Sequence, residues 1–191
     1  MTHQYYMISI MCEDTVGLVA KATGAIAELG GNIEEMYQGV LRGYFVLNLL
    51  ISFDSPQPPE PLRKALDAIG ADGLDFVVGI LPRPEAELPP KMQGSIFILS
   101  IQGRDEPAIL KRVTSYLAGR HINIEDISSW SGRDQYVITA QLTIPEEADP
   151  SVIRLDLAEI LGKAADSVQL LHQDVFAATN RISMSPASYK D

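Results

Sequence analysis

The sequence predicts an α+β fold built twice: two tandem β-α-β-β-α-β units, each a four-stranded antiparallel sheet with both helices on one face. Three observations carry this expectation. The first is a repeat at a constant offset of 91 residues, in which Asp14 returns as Asp105, Asn32 as Asn123 and Glu34 as Glu125. Ile8-Ser9-Ile10 likewise returns as Leu99-Ser100-Ile101, and Leu66 as Leu157. The second is the alternation, within each copy, of strand-like segments with segments of helical period. The third is a proline-rich stretch between the copies, Leu81-Pro82-Arg83-Pro84-Glu85-Ala86-Glu87-Leu88-Pro89-Pro90.

Residues 5–11 alternate apolar with polar or small side chains, as a half-buried strand does. Asp14 offers a side-chain oxygen as a helix cap, and apolar or small residues follow at 16, 19, 20, 23, 26, 27 and 30, one stripe at the 3.6 period. Gly30-Gly31 ends that helix, and residues 32–41 form a second strand. Arg42-Gly43 turns the chain into a third strand at 44–53, rich in aromatic and aliphatic residues. Prolines break the chain over 56–61, a short helix follows at 62–70, and a fourth strand at 74–81. The second copy places strands near 94–102, 122–131, 134–144 and 166–172, and helices near 106–119 and 150–162. Tyr44 aligns with Tyr136 at an offset of 92, which implies one residue gained in the second hairpin.

Repeat units of roughly 80–90 residues are large enough to fold alone. The expected organisation is a first domain at 1–81, a stiff extended linker at 82–93, a second domain at 94–175 and a tail at 176–191 with no clear period.

Composition narrows the function. Apolar residues make up 46 % of the 191, enough for two cores, and the net charge is −10. So acidic a surface repels phosphate backbones and anionic lipid, which argues against direct nucleic-acid or membrane-surface binding. No segment reaches the roughly 18–20 apolar residues of a membrane span. The first residues lack the basic start of a secretory signal, so a cytoplasmic protein is expected. The single cysteine, Cys12, excludes an intrachain disulfide and a multi-cysteine metal site.

Catalytic patterns are absent. His3, His121 and His172 are not spaced with carboxylates as metal ligands, and no nucleophile elbow, phosphate loop or dinucleotide fingerprint occurs. No catalytic residue, metal or cofactor is expected, and the protein reads as a non-enzyme. RNA binding on this topology would use aromatics such as Tyr44, Phe45 and Tyr136, but needs a basic surround that is missing. A metal-chaperone reading fails because the first loop runs Met11-Cys12-Glu13-Asp14 without a second cysteine.

What recurs is the first strand–helix loop together with the start of the second strand: Asp14-x-x-Gly17 with Asn32, then Asp105-x-x-Ala108 with Asn123. One reading is structural. The aspartates cap helices, Gly17 permits close packing, and the asparagines satisfy a turn. The other reading is a site. A helix start presents free N–H groups to an anion such as a carboxylate, and an asparagine amide offers both donor and acceptor. With loop and second strand close together, these parts are expected to converge on one pocket.

The run Asp-x-x-Gly-Leu-Val, an amphipathic helix and then Gly-Asn-Ile resembles the ACT regulatory domain, here present twice. Tandem ACT domains of this length resemble the glycine cleavage system transcriptional repressor family. The resemblance covers about residues 4–81 and 94–174. It implies two ferredoxin-like domains and an amino-acid-binding regulator, with glycine among the candidate ligands. It also implies a homodimer and a protein partner such as a transcription factor. The family's site positions map onto Cys12, Glu13, Asp14, Thr15, Val16 and Gly17 with Asn32 and Ile33. In the second copy they map onto Asp105 and Ala108 with Asn123 and Ile124, where Ala108 replaces the glycine. The first copy is therefore expected to hold the better site. The competing expectation is an assembly module whose sheet edges pair without any small molecule.

Overall fold

The computed structural model describes residues 4–70, 76–84, 92–132 and 134–180. The chain divides into two compact units, Met1–Pro90 and Lys91–Asp191. The first contains β1 (Gln4–Glu13), α1 (Leu18–Glu28), β2 (Asn32–Leu41), β3 (Tyr44–Phe53), α2 (Pro59–Asp67) and β4 (Val77–Pro84). The second contains β5 (Ser95–Arg104), α3 (Ile109–Gly119), β6 (Asn123–Gly132), β7 (Gln135–Ile144), α4 (Pro150–Leu161), β8 (Ala165–His172) and α5 (Gln173–Asn180). The sheets have orders β2-β3-β1-β4 and β6-β7-β5-β8, all neighbours antiparallel. This is the expected α+β, ferredoxin-like architecture, present twice.

Period-two alternation builds each core. In the first unit Tyr6, Ile8, Ile10 and Cys12 of β1 and Phe45, Leu47, Leu49 and Ile51 of β3 join Leu18, Ala22 and Ile26 of α1 in one cluster. In the second, Leu99 and Ile101 join Ile138, Ala140, Leu142 and Ile144 against Ile109, Val113 and Leu117 of α3. Both helix-bearing faces are thus dry, and burying each such side chain contributes roughly 1.5–3 kcal/mol.

Several expectations need correction. Of the expected stripe Ile26 is buried and Val19 packs on the core, but Val16 is fully exposed and the buried line is completed by Leu18 and Ala22. The helix starts only after Gly17, so Val16 belongs to the loop. Likewise α3 begins at Ile109 rather than near 106. Asp14 and Asp105 do not cap: the residues before the helices are Gly17 (φ 95°) and Ala108 (φ 65°), both left-handed, with no side-chain cap bond. Instead the Asp14 N–H donates to the Gly43 carbonyl at 2.8 Å and the Asp105 N–H to the Asp134 carbonyl at 3.0 Å, tying each loop to the neighbouring hairpin.

The hairpin gained no residue. Cys12 pairs with Phe45 and Gly103 with Tyr136, so Tyr136 corresponds to Phe45, not Tyr44, and the offset of 91 holds through the hairpin, falling to 90 only where β8 matches β4. At Gly103 a side chain has no room, since a Cβ there would lie 1.9 Å from the Ala164 carbonyl oxygen. The register irregularity between Gln102 and Gly103 in the β5–β8 ladder lies at that position.

The first sheet also continues into the expected linker. Pro82, Arg83 and Pro84 pair with Tyr6, Tyr5 and Gln4. An edge strand tolerates prolines two residues apart because their nitrogens can face away from the ladder. Residues 173–180 form α5, which packs on β5 and β8, where a tail without period was expected from 176. The expected start of the fourth strand at 74, linker residues 85–91 and tail residues 181–191 lie outside the described residues.

Candidate functional site

Free backbone donors gather where β1 and β5 hand over to their helices. Neither α1 nor α3 has a side-chain cap or an acidic residue in its first turn, so the first N–H groups of each face the loop unpaired by side chains. Glu13, Asp14, Thr15, Val16 and Gly17 are all exposed, as are Asp105 and Glu106. Cys12 is not part of this exposed loop: it lies in the core, and burial, then the nearby Asp14 carboxylate, push its thiol pKa up. Gly17 is required by its conformation rather than by close packing, because a Cβ there would meet nothing within 4 Å. Ala108 adopts the same left-handed turn, so the second loop keeps its shape despite the extra methyl group.

Asn32 and Asn123 do not meet these loops within a unit. The β-α-β crossover makes β1 and β2 run parallel, so β2 begins at the end of the sheet where β1 begins. Asn32 pairs with Ser52, which pairs with Tyr5, whereas Glu13 pairs with Tyr44. From Tyr5 to Glu13 the strand advances roughly 26 Å. In the second unit Asn123 pairs with Thr143 and Thr143 with Ile96, while Arg104 pairs with Gln135 at the far end. Ile33 and Ile124 pack against the cores.

The asparagine amides serve a clamp instead. The Asn32 amide donates to Glu34 Oε1 at 2.9 Å and the Ser52 hydroxyl to the same oxygen at 2.5 Å. Asn123 and Thr143 repeat this on Glu125 Oε1 at 2.6 and 2.5 Å. Both glutamates sit where the ladder skips a residue, between Ile33 and Glu35 and between Ile124 and Asp126. A bulge frees each carboxylate to turn back and satisfy a buried hydroxyl.

A cavity of 240 Å³, open to solvent, lies at the start of α3 in the second unit. Asp105, Glu106 and Ala108 form one wall, and Ser129, Trp130 and Tyr136 line it from β6 and β7. Trp130 and Tyr136 were not among the expected site residues. Tyr136 is 4 % exposed, and its hydroxyl has no hydrogen-bond partner among the described residues. Burial raises its pKa, opposed by the Arg112 guanidinium. Arg112 donates to Glu106 Oε2 at 3.4 Å, while its Nε is also buried without a partner. The signal was present in the sequence once Tyr136 is aligned with Phe45: the second copy adds a hydroxyl where the first has none. By the same offset Trp130 replaces Gly39 and Arg112 replaces Lys21.

Among the described residues, no three His, Cys, Asp or Glu side chains cluster as metal ligands, and no helix is long and apolar enough to cross a membrane.

Comparison with known proteins agrees with the fold. Residues 6–71 match the ACT domain family. A UPF0237 protein of Streptococcus pneumoniae is 39 % identical over 64 residues, which are 34 % of this chain and 73 % of that protein. The glycine cleavage system transcriptional repressor of Escherichia coli is 26 % identical over 143 residues, 75 % of this chain and 73 % of its own. A solved structure of a proposed glycine cleavage system transcriptional repressor superposes with a TM-score of 0.67 at 15 % identity, covering 90 % of this chain and 99 % of that one. That likeness extends the shared fold across both units. With a streptococcal relative matched over most of its length, the chain belongs to the ACT-domain proteins.

Proposed function

We propose that the chain is a non-enzymatic, cytoplasmic, amino-acid-binding regulator that acts through a protein partner, in the manner of a glycine cleavage system repressor. The observation that carries this reading is the cavity at the start of α3, with the unpartnered Tyr136 hydroxyl in its wall. An amino acid fits the chemistry there. Its carboxylate suits the free N–H groups of α3, its ammonium suits Asp105 and Glu106, and its side chain rests on Trp130 and Ile138. The second copy, rather than the first, is then the better site. A ligand regulates by binding one arrangement of a homodimer or partner complex more tightly, typically by about 1–3 kcal/mol. The net charge of −10 favours a protein target over direct DNA contact.

The test is a titration of glycine, serine, branched-chain and aromatic amino acids, followed by Trp130 fluorescence and calorimetry. Binding is expected in the millimolar range or tighter and is weakened by Tyr136→Phe, which leaves the fold intact. No heat and no fluorescence change with any member refutes the reading. In that case the assembly module is favoured, since the Asn32 and Asn123 amides are already engaged by Glu34 and Glu125.

A further inference from the structure

The two sheets share one topology but expose different chemistry on their helix-free faces. In the first sheet, Leu81, Met7 and Leu50 form one cross-strand row, which ends on β2 at Glu35, and Val77, Met11 and Val46 form another, which ends at Gly39. Leu81, Met7, Val77 and Met11 are 51, 40, 57 and 46 % exposed. Between the rows lie Gly79, Ser9 and Asn48, with the Ser9 hydroxyl donating to the Asn48 side-chain carbonyl at 2.5 Å. In the second sheet the matching rows are Leu171, Ile98 and Gln141, then Ser167, Gln102 and Val137, with Gln169, Ser100 and Thr139 between. Four apolar side chains have become polar or been covered. Ile98, the counterpart of Met7, is only 2 % exposed, and α5 packs on its strand.

We propose that the helix-free face of the first sheet is a self-association surface, on which a second copy of the chain stacks face to face. The arrangement of rows is self-complementary. A two-fold axis lying in the interface plane along the Ser9 row sets each apolar row on the other, with Glu35 over Gly39, and the polar row on itself. Such closure is what an isologous dimer requires. The size fits as well. Four strands about 4.8 Å apart and roughly 26 Å long present a face of roughly 500 Å². A stacked pair therefore covers roughly 1,000 Å², the lower bound for a specific interface. Aligned sheets pack at about 10 Å, a gap that interdigitated methionine and leucine side chains fill.

Sedimentation velocity on the full chain, over a concentration series without added amino acids, tests this. The wild type is expected to dimerise reversibly. Met11→Glu and Val77→Glu each raise the dissociation constant at least tenfold, with an unchanged circular dichroism spectrum. Thr139→Glu, on the corresponding face of the second sheet, leaves it unchanged. Because Val77 lies on an edge strand, Val77→Glu decides the matter if Met11→Glu misfolds. A wild type that stays monomeric throughout overturns the proposal, and so does wild-type-like association of the folded variants.

Discussion

Ala108→Gly and Gly17→Ala form a reciprocal pair, since both positions precede a helix in the left-handed region, at φ 65° and 95°. A residue with a Cβ pays about 1–2 kcal/mol there. Against this, glycine adds chain entropy to the unfolded state worth about 0.4–1 kcal/mol. No steric term intrudes at position 17, where a Cβ meets nothing within 4 Å. The net expectation is that Ala108→Gly stabilises the second unit by about 0.5–1 kcal/mol, and Gly17→Ala destabilises the first by a similar amount. Trp130 is the one tryptophan and lies in β6, so urea unfolding followed by its fluorescence reports on the second unit. With a slope of about 1–2 kcal/mol per molar urea, the Ala108→Gly midpoint rises by roughly 0.3–1 M. Asp105→Ala should move it little, because that side chain caps nothing. A lower midpoint for Ala108→Gly, or a loss of about 1 kcal/mol for Asp105→Ala, would refute the reasoning and restore the capping view.

Three further outcomes are expected. Glu125→Ala removes the acceptor of the buried Thr143 hydroxyl and should cost the second unit about 1–3 kcal/mol by the same unfolding measurement. Burial and a 2.7 Å hydrogen bond to Asp156 push the Tyr116 pKa up to about 12. The folded state then keeps a proton that the unfolded state releases, so stability falls as pH rises from about 10 towards 12. Tyr116→Phe should flatten that slope in alkaline unfolding curves. Finally, Cys12 is buried with a raised pKa, so alkylation of the native protein at neutral pH should be slow and should accelerate with urea, reporting local opening of the first core.

The repeat made the architecture readable. An offset carried by Asp14, Asn32 and Glu34 locates equivalent elements without any knowledge of contacts, and alternation names the buried face of each strand. Helix starts were harder. Asp14 has the right chemistry for a cap, yet the loop spends its backbone on the Gly43 carbonyl and enters the helix through Gly17. Local propensity cannot anticipate that tertiary hydrogen bond. The distance between Asn32 and the loop is a different matter, because parallel β1 and β2 follow from the crossover itself. The cavity in the second unit depends on Tyr136 occupying the slot of Phe45. That correspondence was hidden by matching tyrosine to tyrosine instead of keeping the constant offset.

The missing side chain at Gly103 has a consequence for how the duplicated chain reaches its native state. Sibling halves with identical strand order risk trading equivalent segments as they assemble. Were β1 to insert where β5 belongs, Cys12 would arrive opposite the Ala164 carbonyl, which leaves no space even for a Cβ. Strand exchange in that direction would force the Ala164 carbonyl to move, a shift that Gly103 spares the proper segment.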